Sequence, residues 1–155
     1  MNIEIERKFL IHQIPKNFDN KFHIKQFYIH VDDKLVQRLR FFDNEKAIMS
    51  LKQNCAGLSR YEFEYEIPLE DAKKIVSITD SIFIEKIRYI MYYESMKWEI
   101  DEFLGNNKGL LIAEVELEDE NQKIKLPDWI VKEVTNQNKY FNYNLALRPY
   151  ISWKH

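Results

Sequence analysis

A mainly β fold of the α+β type is the class this sequence predicts: an eight-stranded antiparallel barrel, closed on itself and flanked by a few helices. Three observations predict it. Polar and apolar residues alternate with a period of two over eight segments, the pattern of strands rather than helices. The connections between those segments are short and polar, as in hairpins. One face of nearly every segment carries paired charges, and the other carries large apolar side chains. Closure removes the sheet edges and turns the charged faces inward, provided helices, loops or a second subunit cover the outer faces.

The strands follow in order. Residues 3–11 put Glu4, Glu6 and Lys8 on one face against Ile3, Ile5, Phe9 and Ile11, and a weaker strand spans 23–31. Residues 35–42 oppose Arg38 and Arg40 to Leu35, Leu39 and Phe41; residues 46–53 oppose Lys46 and Lys52 to Ala47, Met49 and Leu51. Residues 60–67 set Arg60, Glu62, Glu64 and Glu66 against Tyr61, Phe63, Tyr65 and Ile67. Residues 82–93 carry Lys86 and Arg88, residues 96–104 carry Glu99 and Asp101, and residues 110–118 carry Glu114, Glu116 and Glu118. Turns are expected at 32–34 and 43–45, and a loop at Gly105–Gly109. A helix is expected at 69–80, where Leu69, Ala72, Ile75 and Val76 recur at helical spacing, and a second at 127–135, opened by Pro127. The aromatic tail, 138–150, is expected to pack on the body.

Composition narrows the function. A length of 155 residues fits a single domain, 1–155. With 31% charged and 45% hydrophobic residues the chain is not disordered. Lys plus Arg number 23 against 25 Asp plus Glu, a balance that argues against a general nucleic-acid or membrane-surface binder. Cys55 is the only cysteine, so no internal disulfide forms. No apolar run is long enough for a membrane helix, and the charged N-terminus is not a signal peptide. A cytoplasmic protein is the expectation.

The charges themselves are more specific. An ordinary wet face mixes signs, but here like charges stand two apart on strand after strand, where they repel. Eight acids (Glu4, Glu6, Glu62, Glu64, Glu99, Asp101, Glu114, Glu116) and six bases (Lys8, Arg38, Arg40, Lys52, Lys86, Arg88) would share the interior. Burying them is unfavourable unless they pair or meet a ligand of matching charge. Guanidinium and ammonium groups from several strands suit a polyanion, and clustered carboxylates suit a hard divalent cation. One ligand type meets both demands: a phosphate chain with Mg²⁺ or Mn²⁺. Glu66, Glu118 and Arg60 share the inward parity near strand ends and are expected at the rim. His12, His23, His30 and His155 show no ligand spacing, and Cys55 is expected to be an inert thiol.

The segment Glu4-Ile5-Glu6-Arg7-Lys8 resembles the E-x-E-x-K signature of the CYTH superfamily, the triphosphate tunnel metalloenzymes. The resemblance continues in order: R-x-R at Arg38 and Arg40, Lys52, E-F-E-Y from Glu62, E-K-x-R from Glu85, W-E-I-D-E-F from Trp98, A-E-V-E-L-E from Ala113 and E-V-T from Glu133. It spans residues 3–145 and is greatest with the short bacterial members, which include inorganic triphosphatases. It implies that Lys8, Arg38, Arg40, Lys52, Lys86 and Arg88 hold phosphate oxygens. It implies that Glu4, Glu6, Glu114 and Glu116 carry Mg²⁺ or Mn²⁺, with Glu62, Glu64 and Asp101 assisting. Glu4, Glu6, Lys8 and Lys86 are the expected catalytic set. The implied reaction removes the terminal phosphate of inorganic triphosphate. A class IV adenylyl cyclase, or a nucleoside or thiamine triphosphatase, is the alternative on the same tunnel, and a binding module without turnover is a further one. Relatives often show Gln-Gly-Tyr where this chain has Gln26-Phe27-Tyr28, so Phe27 should point outward. Lys139 lies near a basic position of the family and is left unassigned. A homodimer is expected to help cover the outer faces.

Overall fold

A computed structural model describes residues 2–153; His155 lies outside them. Eight strands close into an antiparallel barrel: β1 (Ile3–Ile11), β2 (Asn20–Val31), β3 (Leu35–Phe42), β4 (Lys46–Gln53), β5 (Ser59–Ile67), β6 (Phe83–Tyr93), β7 (Met96–Phe103) and β8 (Leu111–Glu116). Around the barrel the order is β1-β5-β4-β3-β2-β6-β7-β8 and back to β1. The eight strands predicted from the alternation are all present, as is α1 (Leu69–Ile78), opened by Pro68 with Glu70 and Asp71 in its first turn. No helix among the described residues is long and apolar enough to cross a membrane.

The helix expected at 127–135 is instead a short strand, β9 (Ile130–Glu133). β1 explains it. One edge of β1 pairs with β8, while the other is shared: Ile3, Glu4 and Ile5 pair with β5, and Phe9, Leu10 and Ile11 pair with β9. That open edge offers backbone partners to 130–133, and Arg7 clamps the join with two hydrogen bonds to Glu133, at 2.9 and 2.8 Å. Tertiary pairing thus overrides a weak local preference. A short helix that the sequence pattern did not reveal, α2 (Asn142–Leu147), follows in the tail.

Two apolar clusters lie outside the barrel and one inside. Outside β1, β7 and β8, Phe9, Trp98, Ile100, Ala113 and Val115 are covered by Ile14, Phe18, Ile124 and Trp129 from loops. Outside β2, β3 and β4, Phe27, Leu39, Phe41 and Ala47 pack under Ala72, Ile75 and Val76 of α1; Phe27 points outward as expected. Each such buried side chain contributes roughly 1.5–3 kcal/mol. The third cluster uses inward positions. Ile84, Phe103 and Ile112 meet Val134, Tyr140 and Leu145, so the tail fills one end of the bore. The outer face of β5 departs from expectation. Tyr61 and Tyr65 are 53% and 59% exposed, with no described element over them.

Candidate active site

Inside the barrel, residues of all eight strands and of the 135–144 tail line one cavity of about 550 Å³. Twelve of the thirteen predicted site residues, together with Glu99, stand in or around it as parity requires. From the set of phosphate and metal candidates, Glu4, Glu6, Lys8, Arg38, Arg40, Lys52, Glu62, Glu64, Lys86, Arg88, Glu114 and Glu116 all line it. Asp101 does not. It is fully buried behind the wall, where it accepts hydrogen bonds from Arg88 Nε and Nη2, both at 2.8 Å, and faces Lys86 Nζ at 2.8 Å. Arg60 and Lys97 also line the cavity, whereas Glu66 and Glu118 are exposed and away from it. Lys139 stacks on Tyr140 and Trp153, away from the cavity.

The cations are held by carboxylates on facing strands. Arg38 donates to Glu62 at 2.9 Å and to Ser50 at 2.8 Å, and Arg40 pairs with Glu64. Lys52 sits 2.6 Å from Glu4 and 3.8 Å from Glu62. Arg88 also donates to Glu99 at 2.9 Å, and Lys8 lies 3.9 Å from Glu114. Burial governs the proton affinities. It depresses Lys86 to about 8, Asp101 offsetting only part of the effect, and lowers Arg40 to about 10 with help from Arg38 and Arg88. Burial works against charge on Glu4, yet Lys52 and Arg38 hold its carboxyl below the usual range.

The acids of β1 and β8 behave differently. Glu6 stands directly opposite Glu116 in the register. Burial, then the charges of Glu114 and Glu4, push Glu6 well above the usual carboxylate range. Glu114 is held well below it: burial opposes its charge, but Lys8, a hydrogen bond with Glu6, Arg88 and Lys86 prevail. Among the described residues no three acidic, His or Cys side chains stand together as a preassembled metal site. The donor set nevertheless fits a hard cation. Several carboxylates face one another in a poorly solvated space, and Glu6, its proton affinity raised by burial and by the charges of Glu114 and Glu4, would gain from a cation there.

Several lining residues escaped the sequence reading. Tyr28, raised to about 12 by burial, accepts a hydrogen bond from Gln26 Nε2 at 2.6 Å; its inward parity was the available signal. Thr135, Phe141, Asn142 and Tyr143 come from the tail. Asn142 Oδ1 accepts from Lys86 Nζ at 2.7 Å, Lys8 lies over the Phe141 ring at 5.3 Å, and Tyr143 meets Tyr28 edge-on. No periodicity in the tail announces these contacts.

The CYTH domain model matches residues 2–150. The chain belongs to the CYTH domain family. It is similar to an inorganic triphosphatase of Acetivibrio thermocellus, 43% identical over 156 residues, with 99% of each chain covered. It is also similar to an inorganic triphosphatase of Nitrosomonas europaea, 34% identical over 148 residues, with 93% of this chain and 97% of the relative covered. A crystal structure described as an inorganic triphosphatase superposes with a TM-score of 0.67 at 31% identity, covering 93% of this CYTH chain and 97% of the other. Membership in a CYTH triphosphatase family points to dependence on a divalent metal.

Proposed function

We propose that this CYTH protein is a metal-dependent inorganic triphosphatase, releasing orthophosphate and leaving diphosphate. One observation carries the reading: six cations from β1, β3, β4 and β6 and the acids of β1, β5 and β8 converge on a single cavity of about 550 Å³. The names of the relatives support the choice of substrate. Lys8, Arg38, Arg40, Lys52, Lys86 and Arg88 would donate to phosphate oxygens with the N–H groups that their carboxylate partners leave free. Asp101, behind the wall, orients Lys86 and Arg88 rather than binding metal. Glu62 and Glu64 would hold Arg38 and Arg40 in place. Positioning and preorganised charge of this kind supply most of the catalysis in phosphoryl transfer. Glu4, Glu6, Glu114 and Glu116 would hold Mg²⁺ or Mn²⁺, which when bound offsets phosphate charge and lowers the pKa of water. The lone thiol Cys55 fits a reducing, cytoplasmic setting.

The test is phosphate release from tripolyphosphate and from ATP, with Mg²⁺, Mn²⁺ or EDTA, by wild type and Glu4→Gln. Metal-dependent release from tripolyphosphate, slower from ATP and lost in the variant, is expected. No release from tripolyphosphate overturns the reading, and cyclic AMP formed from ATP replaces it with a cyclase.

A further inference from the structure

We propose that Arg60 recognises the unsubstituted end of the substrate and so sets a preference for inorganic triphosphate over nucleoside triphosphates. The inference deepens the triphosphatase reading and rests on it. Arg60 lies one residue inside the start of β5, opposite Glu4 in the β1–β5 register. It is half-buried and lines the cavity beside Asn54, Cys55, Gly57 and Leu58 of the β4–β5 loop. Among the described residues, every other arginine lining the cavity is committed to a carboxylate: Arg38 to Glu62, Arg40 to Glu64, Arg88 to Asp101 and Glu99. Among the described residues Arg60 has no ion-pair partner. Its hydrogen bond is a long one, 3.5 Å from Nη2 to the Gly57 carbonyl. The carboxylate of its register neighbour, Glu4, is taken by Lys52 at 2.6 Å.

Arg60 is therefore an uncompensated guanidinium at the loop end of the cavity. An anion that reaches it displaces no carboxylate, only the long contact to the Gly57 carbonyl. The paired cations deeper in the barrel read the phosphate chain and are indifferent to what its end carries. A terminal phosphate has three non-bridging oxygens and a second ionisable proton, whereas a phosphate esterified to a sugar keeps two oxygens and a single charge, so the terminal group is the stronger acceptor for a guanidinium fork. An ester at that end removes both the extra charge and one acceptor.

The test compares wild type, Arg60→Gln and Arg60→Lys on tripolyphosphate and ATP with Mg²⁺, reading kcat and KM separately. It adds calorimetric binding of both compounds in EDTA and thermal melts. Arg60→Gln should raise KM for tripolyphosphate roughly tenfold, the worth of one charge-assisted contact, with kcat within about twofold. Its kcat/KM for ATP should stay within about twofold, and Arg60→Lys should recover part of the loss. An equal loss on both substrates, or an unchanged KM, overturns the inference. So does a lowered melting temperature with unchanged tripolyphosphate affinity, because that assigns Arg60 to holding the loop. A wild type that binds tripolyphosphate without turnover sinks the triphosphatase reading alone, since the binding comparison still decides Arg60.

Discussion

Replacing Asp101 with Asn tests how the charged interior is held together. Asp101 is fully buried and makes three contacts of 2.8 Å, two from Arg88 and one from Lys86. The amide keeps the shape and removes the charge. Arg88 then retains only Glu99, which is 30% exposed, and Lys86 retains only the neutral Asn142. Breaking a buried pair in this way costs about 3–5 kcal/mol, because the remaining cations stay desolvated. At roughly 2–4 °C per kcal/mol for a chain of this size, the melting temperature should fall by about 6–20 °C. Urea unfolding followed by tryptophan fluorescence suits the measurement, since Trp98 is buried against Phe9. The loss should be equal in EDTA and in Mg²⁺, because Asp101 stands behind the cations. A loss under about 1 kcal/mol refutes the role of counter-ion, and a loss seen only with Mg²⁺ makes Asp101 a metal ligand instead.

Glu6 keeps its proton where the unfolded chain has shed it, so in EDTA it contributes stability that fades as pH rises through its raised pKa. Glu6→Gln should remove that slope in pH-dependent unfolding, gaining on wild type at higher pH, while losing at least about a hundredfold in metal-dependent activity. Lys86 has the opposite sign. Its depressed pKa, about 8 against 10.5, means the unfolded chain binds more protons between those values, so stability rises with pH across that window. Against Lys86→Met, wild type should gain up to about 3 kcal/mol from pH 8 to 10.5, and a flat difference would show Lys86 unperturbed. The β6–β7 hairpin turns through Glu94 and Ser95, both at positive φ (48° and 64°). Replacing the pair with Asn-Gly should stabilise by about 1 kcal/mol in urea unfolding without altering turnover. A homodimer through the open face of β5 predicts that Tyr61→Ser with Tyr65→Ser yields monomer in sedimentation, whereas a monomeric wild type removes the proposal.

Much of the architecture was legible because closure couples two strict alternations. Charges on one face and aromatics on the other leave few ways to arrange eight strands. The same parity that put Arg38 and Arg40 inside put Phe27, Leu39 and Phe41 under α1. The departures from expectation fall where the chain answers to distant partners. Residues 130–133 became a strand because β1 had a free edge, a fact that lies more than a hundred residues away in sequence. Asp101 shares the inward parity of Glu99 but is covered by Arg88 and Lys86, which parity alone does not resolve. Asn142 reaches Lys86 from an irregular tail with no period to read. The open face of β5 shows the limit of the covering argument, since aromatic residues there remain in solvent.

The shared edge of β1 also constrains the order of assembly. β2 to β5 and the β6–β7 hairpin pair with near neighbours in sequence and can form while the chain is still being made. The first strand has no such partner. Its contacts lie on β5, β8 and β9, and the Arg7–Glu133 clamp spans 126 residues. β1 must therefore wait for β8, about a hundred residues later in the chain, before the barrel can close. Long-range closure of this kind is slow, and it leaves a nascent edge exposed meanwhile. Glu4, Glu6 and Lys8 sit on that strand, so the cavity is complete only once β1 has met both β5 and β8, and a chain truncated before β8 would leave one edge of β1 unpaired.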